Sequence, residues 1–180
     1  ICYATLSGTD ADAAAVVIGS HLDSVPRGGA FDGAAGVAAG LAICAALGAL
    51  GVRLPHDVTV MAIRAEESIW FPCSYIGSRS ALGRLPDGAL DSVRRVDTGR
   101  TLADHMEAVG CDLATLRGGA PLLDPARLRA YLEIHIEQAP VLVESALPVA
   151  VCTGIPGNFR YPQARVVGRD DHVGTPRRFR

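Results

Sequence analysis

The strongest constraint on this chain is a strand, a glycine-rich loop, an uncharged helix and a second strand, in that order, with cation-binding groups at the ends of the strands. Ala13 to Gly19 is short, apolar and rich in Val and Ile, so it reads as a buried strand of parallel type that ends at Ser20-His21. From His21 to Gly33 the chain is punctuated by Pro26, Gly28, Gly29 and Gly33, which marks a loop, and Asp32 is placed to precede or cap a helix. That helix is expected to run from Ala34 to about Leu50. Gly36 and Gly40 inside it stand four residues apart, on one face, where they would let another backbone approach closely. Asp57 to Arg64 alternates and is β-branched, predicting a second strand that leads into Ala65-Glu66-Glu67. Strand, helix, strand implies a right-handed parallel crossover, and hence an α/β fold with a mostly parallel sheet flanked by helices.

Further helical patterns fall at about Ser78 to Leu85, Thr101 to Val109 and Pro125 to Arg129, the last leading into a strand from Tyr131 to Glu137. From Val149 the composition turns to Gly, Pro and short strand-like pieces. A first domain over 1–153 and the beginning of a second over 154–180 are therefore expected. The chain opens without a methionine in what reads as mid-strand and stops in a Gly/Pro/Arg turn, so it is expected to be a piece of a longer polypeptide.

At 180 residues, 49% of them hydrophobic, the chain can bury one sizeable core. Its formal net charge of -2 and scattered arginines give no stripe for nucleic acid or an anionic membrane, which leaves a small molecule as the expected partner. Ala34 to Val52 carries no charge, but its Ala and Gly partition weakly into lipid and it lies between a loop and a buried strand, so it is not read as a membrane span. Five cysteines, odd in number and never in a Cys-x-x-Cys pair, argue against a disulfide scaffold and against a cysteine zinc site; a reducing cytoplasm is the expected location.

The chemistry is expected where three strands end: His21 and Asp23 on the first, Glu66 and Glu67 on the second, His135 and Glu137 on the third, with Asp32 on the first loop. Parallel α/β sheets place their sites along that edge. Alone, a histidine at a strand end is ordinarily a satisfied structural group, and a Glu-Glu pair is ordinarily solvated charge. Their coincidence is what points to a site. Imidazole mixed with carboxylate is the donor set of catalytic zinc, with cobalt, manganese and nickel as alternatives. No Gly-x-Ser-x-Gly elbow supports a serine hydrolase, and no Gly-x-Gly-x-x-Gly follows the first strand to support a dinucleotide site. His56 and His105 are read as solvated or structural, and Tyr75, Tyr131 and Phe159 as packing.

These residues together carry a resemblance. His21-Leu22-Asp23-Ser24-Val25-Pro26, Gly28-Gly29, Phe31-Asp32-Gly33, Glu66-Glu67 before Phe71, Gly77-Ser78-Arg79 and Glu133-Ile134-His135-Ile136-Glu137-Gln138 resemble the zinc-dependent hydantoinase/carbamoylase amidase family of the wider dizinc exopeptidase-like clan. The resemblance implies hydrolysis of linear amide or ureido C–N bonds, as in N-carbamoyl-L-amino acids, allantoate or ureidopropionate. It implies two divalent metal ions bridged by Asp32, one completed by His21 and His135, the other by Glu67 and a histidine that this chain lacks. It further implies Glu66 as general base, Asp23 as the carboxylate orienting His21, Gln138 as a substrate contact, and His172 as an oxyanion donor from a lid and dimerisation domain of which 154–180 would be the start. The full-length family is expected to form homodimers through that lid. Ser68 and Trp70 stand where many members have Gly and Arg, and Ala139 follows Gln138 in place of Gly, departures that bear on the substrate pocket. Two alternatives accompany this reading: an aminoacylase or exopeptidase of the same clan, and an inactive metal-binding fragment.

Overall fold

The computed structural model describes residues 1–154, Arg165 and Val167. It divides into two compact units, Ile1–Gln138 and Ala139–Arg180. In the first, β1 (Cys2–Leu6), β2 (Ala15–His21), β3 (Val58–Ile63) and β4 (Leu128–Leu132) form one sheet in the order β1-β3-β2-β4. β2 runs parallel to both β3 and β4, and β1 pairs antiparallel with β3 on the outside. Helix α1 (Ala34–Ala49) makes the crossover from β2 to β3, as the sequence predicts.

The alternation of β3 sends Val60 and Ala62 to one face of the sheet, where they pack with Val37 of α1, and Met61 and Ile63 to the other, where they meet Val17, Leu128 and Ala81. Ala81 belongs to α2 (Ile76–Ala81), so the sheet is covered on both faces, which is why β2 and β3 read as nearly continuous apolar runs. A satellite core of Phe71, Ile76, Leu90, Leu102 and Ala103 is built by the start of α2 with α3 (Ala89–Ser92) and α4 (Leu102–Ala108). α5 (Leu113–Gly118) follows, and then a single 3-10 turn, Pro125–Arg127, leads into β4. Among the described residues of the second unit there is one short helix, α6 (Val141–Glu144).

Three expectations need correction. The helix at about 78–85 begins earlier, at Ile76, and ends at Ala81. The turn before β4 is 3-10 rather than α-helical, because Asp124 caps it through Ala126 N–H and Pro125 opens it. The third strand is also displaced toward the N-terminus: its ladder with β2 ends at Ile18 and Leu132, so Glu133 to Glu137 lies outside the sheet. There the carbonyl of Ile134 faces Gly36 of α1 in place of a strand neighbour, and a Cβ on Gly36 would collide with that oxygen. α3, α5 and α6, each six residues or fewer, are too short for their periodicity to show in sequence. Among the described residues no helix is long and apolar enough to cross a membrane.

Candidate metal centre

The parallel register sets His21, the last residue of β2, opposite Ile63, the last residue of β3, three positions before Glu66. His21, Asp32 and the rest of the loop to α1 therefore share one edge of the sheet with the Glu66-Glu67 turn. Gly33 carries the backbone at the start of α1 with φ 72°, a left-handed conformation, and a Cβ there would strike the His21 carbonyl and ring. Only glycine fits. Of the two expected roles Asp32 takes the first: it precedes the helix without capping it, and its carboxylate turns inward and is 4% exposed.

Three donor atoms converge. His21 Nε2 lies 3.2 Å from His135 Nε2 and 3.6 Å from Asp32 Oδ1, and His135 Nε2 lies 3.2 Å from the same oxygen. A tetrahedral ion with nitrogen and oxygen ligands at about 2.0–2.1 Å has ligand–ligand edges of about 3.3 Å, so the triangle has the dimensions of one tetrahedral face. Both rings are turned to suit it. His21 Nδ1 is hydrogen-bonded to the carbonyl oxygen of Asp23, and His135 Nδ1 to that of Ile136 at 2.9 Å. A carbonyl can only accept, so each Nδ1 carries a proton, and in the neutral ring Nε2 then presents its lone pair to the centre. Two such lone pairs face a carboxylate oxygen, Asp32 Oδ1, that is buried with no hydrogen-bond partner. A buried, unsatisfied acceptor costs about 1–3 kcal/mol, and a cation at the middle of the triangle removes that cost along with the repulsion between the lone pairs. The residues present fit a divalent metal.

The other predicted residues have the following partners. Asp32 Oδ2 accepts from Gln138 Nε2 at 2.9 Å. Glu66 Oε2 accepts from the backbone N–H of Ser78 at 3.1 Å. Glu67 is half-buried in the same turn and is not one of the three converging donors. The Asp23 carboxylate accepts from the backbone N–H groups of Glu66 and Glu67, at 3.1 and 2.8 Å, while its carbonyl serves His21. His172 lies outside the described residues.

Two contacts were not anticipated. Ser20, fully buried beside His21, donates to Glu133 Oε1 at 2.7 Å. Tyr131, read from sequence as packing, brings its hydroxyl over Gly19, where a Cβ would stand 2.9 Å from it. Burial, and then the charges of Glu133 and Glu66, push the phenol well above its ordinary range, so it stays neutral. The two-residue period of a strand, placing Tyr131 and Glu133 on one side of the chain, was the available signal. Trp70, one of the departures, stacks under the Arg95 guanidinium at 4.6 Å.

Comparison with known proteins identifies the family. Residues 2–96 match the model of peptidase family M28, and the chain belongs to that metal-dependent family. It is 41% identical over 174 residues to an N-carbamoyl-L-amino acid amidohydrolase of Geobacillus stearothermophilus, covering 96% of this chain and 41% of the relative. It is 31% identical over 175 residues to allantoate deiminase 2 of Glycine max, covering 96% of this chain and 36% of that one. The fold matches the crystal structure of a hydantoinase/carbamoylase family amidase from Burkholderia ambifaria with a TM-score of 0.68 and 38% identity, over 80% of this chain and 34% of the other. The chain thus spans about two fifths or less of the length of these relatives, and the resemblance stated from its motifs is borne out.

Proposed function

We propose that this chain supplies the metal-binding part of a hydrolase for linear ureido and amide C–N bonds, with an N-carbamoyl-L-amino acid as the first-choice substrate and allantoate or ureidopropionate as related ones. The observation that carries this reading is the triangle of His21, Asp32 and His135 around an orphaned carboxylate oxygen. Those three residues would hold one divalent ion, zinc before manganese, cobalt or nickel, and Asp32 with Glu67 would contribute to a second whose remaining ligand lies beyond this chain. A bound divalent cation supplies Lewis acidity, polarising the ureido or amide carbonyl and lowering the pKa of water.

The chain's own residues do the rest. Ser78 N–H occupies Oε2 of Glu66, which leaves Oε1 to take the proton from water and pass it to the leaving nitrogen. Gln138 lies close enough to Asp32 to reach a substrate group at the centre, and His172 would donate to the developing oxyanion. The odd, unpaired cysteines support a cytoplasmic setting, and a homodimer through the second domain is part of the same proposal.

The test is elemental analysis of the purified chain beside His21→Ala and Glu67→Ala, with hydrolysis of an N-carbamoyl-L-amino acid assayed on the same samples. One equivalent of metal, lost in His21→Ala and retained in Glu67→Ala, is the expected result, with little turnover because the second ion is incompletely held. Absence of metal from the folded parent refutes the reading. The family description favours a second substrate class, peptides, so a dipeptide belongs in the same assay; preferential dipeptide hydrolysis would move the proposal to the exopeptidase branch.

A further inference from the structure

The resemblance assigns the Asp23 carboxylate to His21, but the structure spends it elsewhere. Its two oxygens accept from consecutive backbone N–H groups, Glu66 at 3.1 Å and Glu67 at 2.8 Å, and the contact with the His21 ring is made by the Asp23 main-chain carbonyl instead. We propose that Asp23 is a positioning residue for the Glu66-Glu67 turn, its carboxylate holding the general base and the second metal's carboxylate in place.

Consecutive amides can converge on one carboxylate only where the chain bends sharply, and Ala65, just before them, has φ 58°, a left-handed conformation that a residue with a Cβ seldom adopts. Something must hold it. On the far side the turn is tied to the start of α2, where Tyr75 N–H donates to the Glu66 carbonyl at 2.9 Å and Ile76 N–H to the Ala65 carbonyl at 3.0 Å. On the near side Asp23 supplies the side-chain contacts, and they come from the loop that follows His21. Asp23 therefore links the histidine half of the site, through its carbonyl, to the glutamate half, through its carboxylate. Asparagine cannot replace it: one acceptor oxygen remains, and the amide NH2 would face the second backbone N–H, donor against donor.

This inference rests on the proposed function for its catalytic meaning, and its test is separable from it. Asp23→Asn in the 180-residue chain should speed amide hydrogen exchange at Glu66 and Glu67 at least tenfold, while exchange in β3 stays as in the parent. The dissociation constant for the first equivalent of cobalt, read from its visible d–d bands, should change less than threefold, since His21 keeps its carbonyl partner. A tenfold or greater loss of cobalt affinity with unchanged exchange at Glu66 and Glu67 would return the carboxylate to His21 and overturn the proposal. Unchanged exchange with unchanged affinity overturns it too. If the variant does not fold, scalar couplings across the hydrogen bonds from Glu66 N and Glu67 N to Asp23 Cγ in the parent decide: their presence supports the assignment, and coupling to neither sinks it. A parent that binds no cobalt refutes the proposed function, and the exchange result still stands.

Discussion

One helix offers the same substitution in three environments. Gly36, Gly40 and Gly48 all lie within α1, and replacing any of them with alanine gains up to about 1 kcal/mol of helix propensity. What differs is the space. At Gly48 a Cβ meets nothing within 4 Å, so Gly48→Ala should stabilise by about 0.5–1 kcal/mol. At Gly40 it would lie 3.1 Å from Ile18 Cγ2 and 3.2 Å from Val60 Cγ1, side-chain methyls that can yield by a few tenths of an ångström, so the gain and the strain should nearly cancel. At Gly36 it would collide with the main-chain carbonyl of Ile134 and lie 2.7 Å from Ser20 Cβ, and neither can move without moving a strand or the His135 segment. Overpacking of that kind costs about 3 kcal/mol; less the propensity gain, Gly36→Ala should lose about 2 kcal/mol. For a domain of this size that is a fall in Tm of roughly 4–8 °C. The assay is urea denaturation of the three variants beside the parent, with cobalt affinity measured on each. Because the residue pushed aside immediately precedes His135, only Gly36→Ala should weaken the metal site. If Gly36→Ala stabilises as Gly48→Ala does, the close approach of α1 to the His135 segment is wrong.

Metal should stabilise the fold through the same triangle: at a free zinc concentration a hundredfold above its Kd the gain is about 2.7 kcal/mol, seen as a rise in Tm that EDTA reverses and that His135→Ala abolishes. Thr101 and Asp104 exchange side-chain and main-chain bonds in a capping box at the start of α4, so Thr101→Ala should cost about 1 kcal/mol in urea denaturation. Asp104 is held below its ordinary pKa by its bonds with Thr101, and Asp112 by its bonds with Thr115. Carboxyls depressed in the folded state contribute stability above their unfolded pKa and lose it as the pH falls through the folded value. Denaturation between pH 5 and about 2 should therefore show a shallower acid loss in Asp104→Asn than in the parent.

Much of this was legible in the chain because it is written locally. The β2, α1, β3 unit follows from apolar runs, loop residues and helix length, and its boundaries in sequence and structure agree within about two residues. The donors could be named because strand ends in parallel sheets are where sites lie. What could not be read was decided by distant partners. β4 stops at Leu132, and beyond it the carbonyl of Ile134 lies against Gly36 of α1, far earlier in the chain, a contact that nothing in Glu133 to Glu137 announces. The alternation of Ile134, His135 and Ile136 looks like a strand and is a loop. Likewise the side chain of Asp23 could have served His21 or the Glu pair with equal ease by its spacing; only the fold of β3 back against the first loop chooses the latter.

Asp32 shows how a departure from local rules marks function. An aspartate one residue before a helix-opening glycine would normally find its partners in the helix's own first amides, gaining about 1 kcal/mol. Here the left-handed Gly33 takes the cap position, and the carboxylate is carried away from those donors into the protein. Gln138 satisfies one oxygen and leaves the other facing two imidazole nitrogens whose protons are committed elsewhere. A structural role would have supplied a donor, as Asp124 and Asp112 find at the starts of their own helices. The arrangement is unfavourable for protein atoms alone and favourable once a cation lies between them, which is the physical reason to read these three residues as ligands.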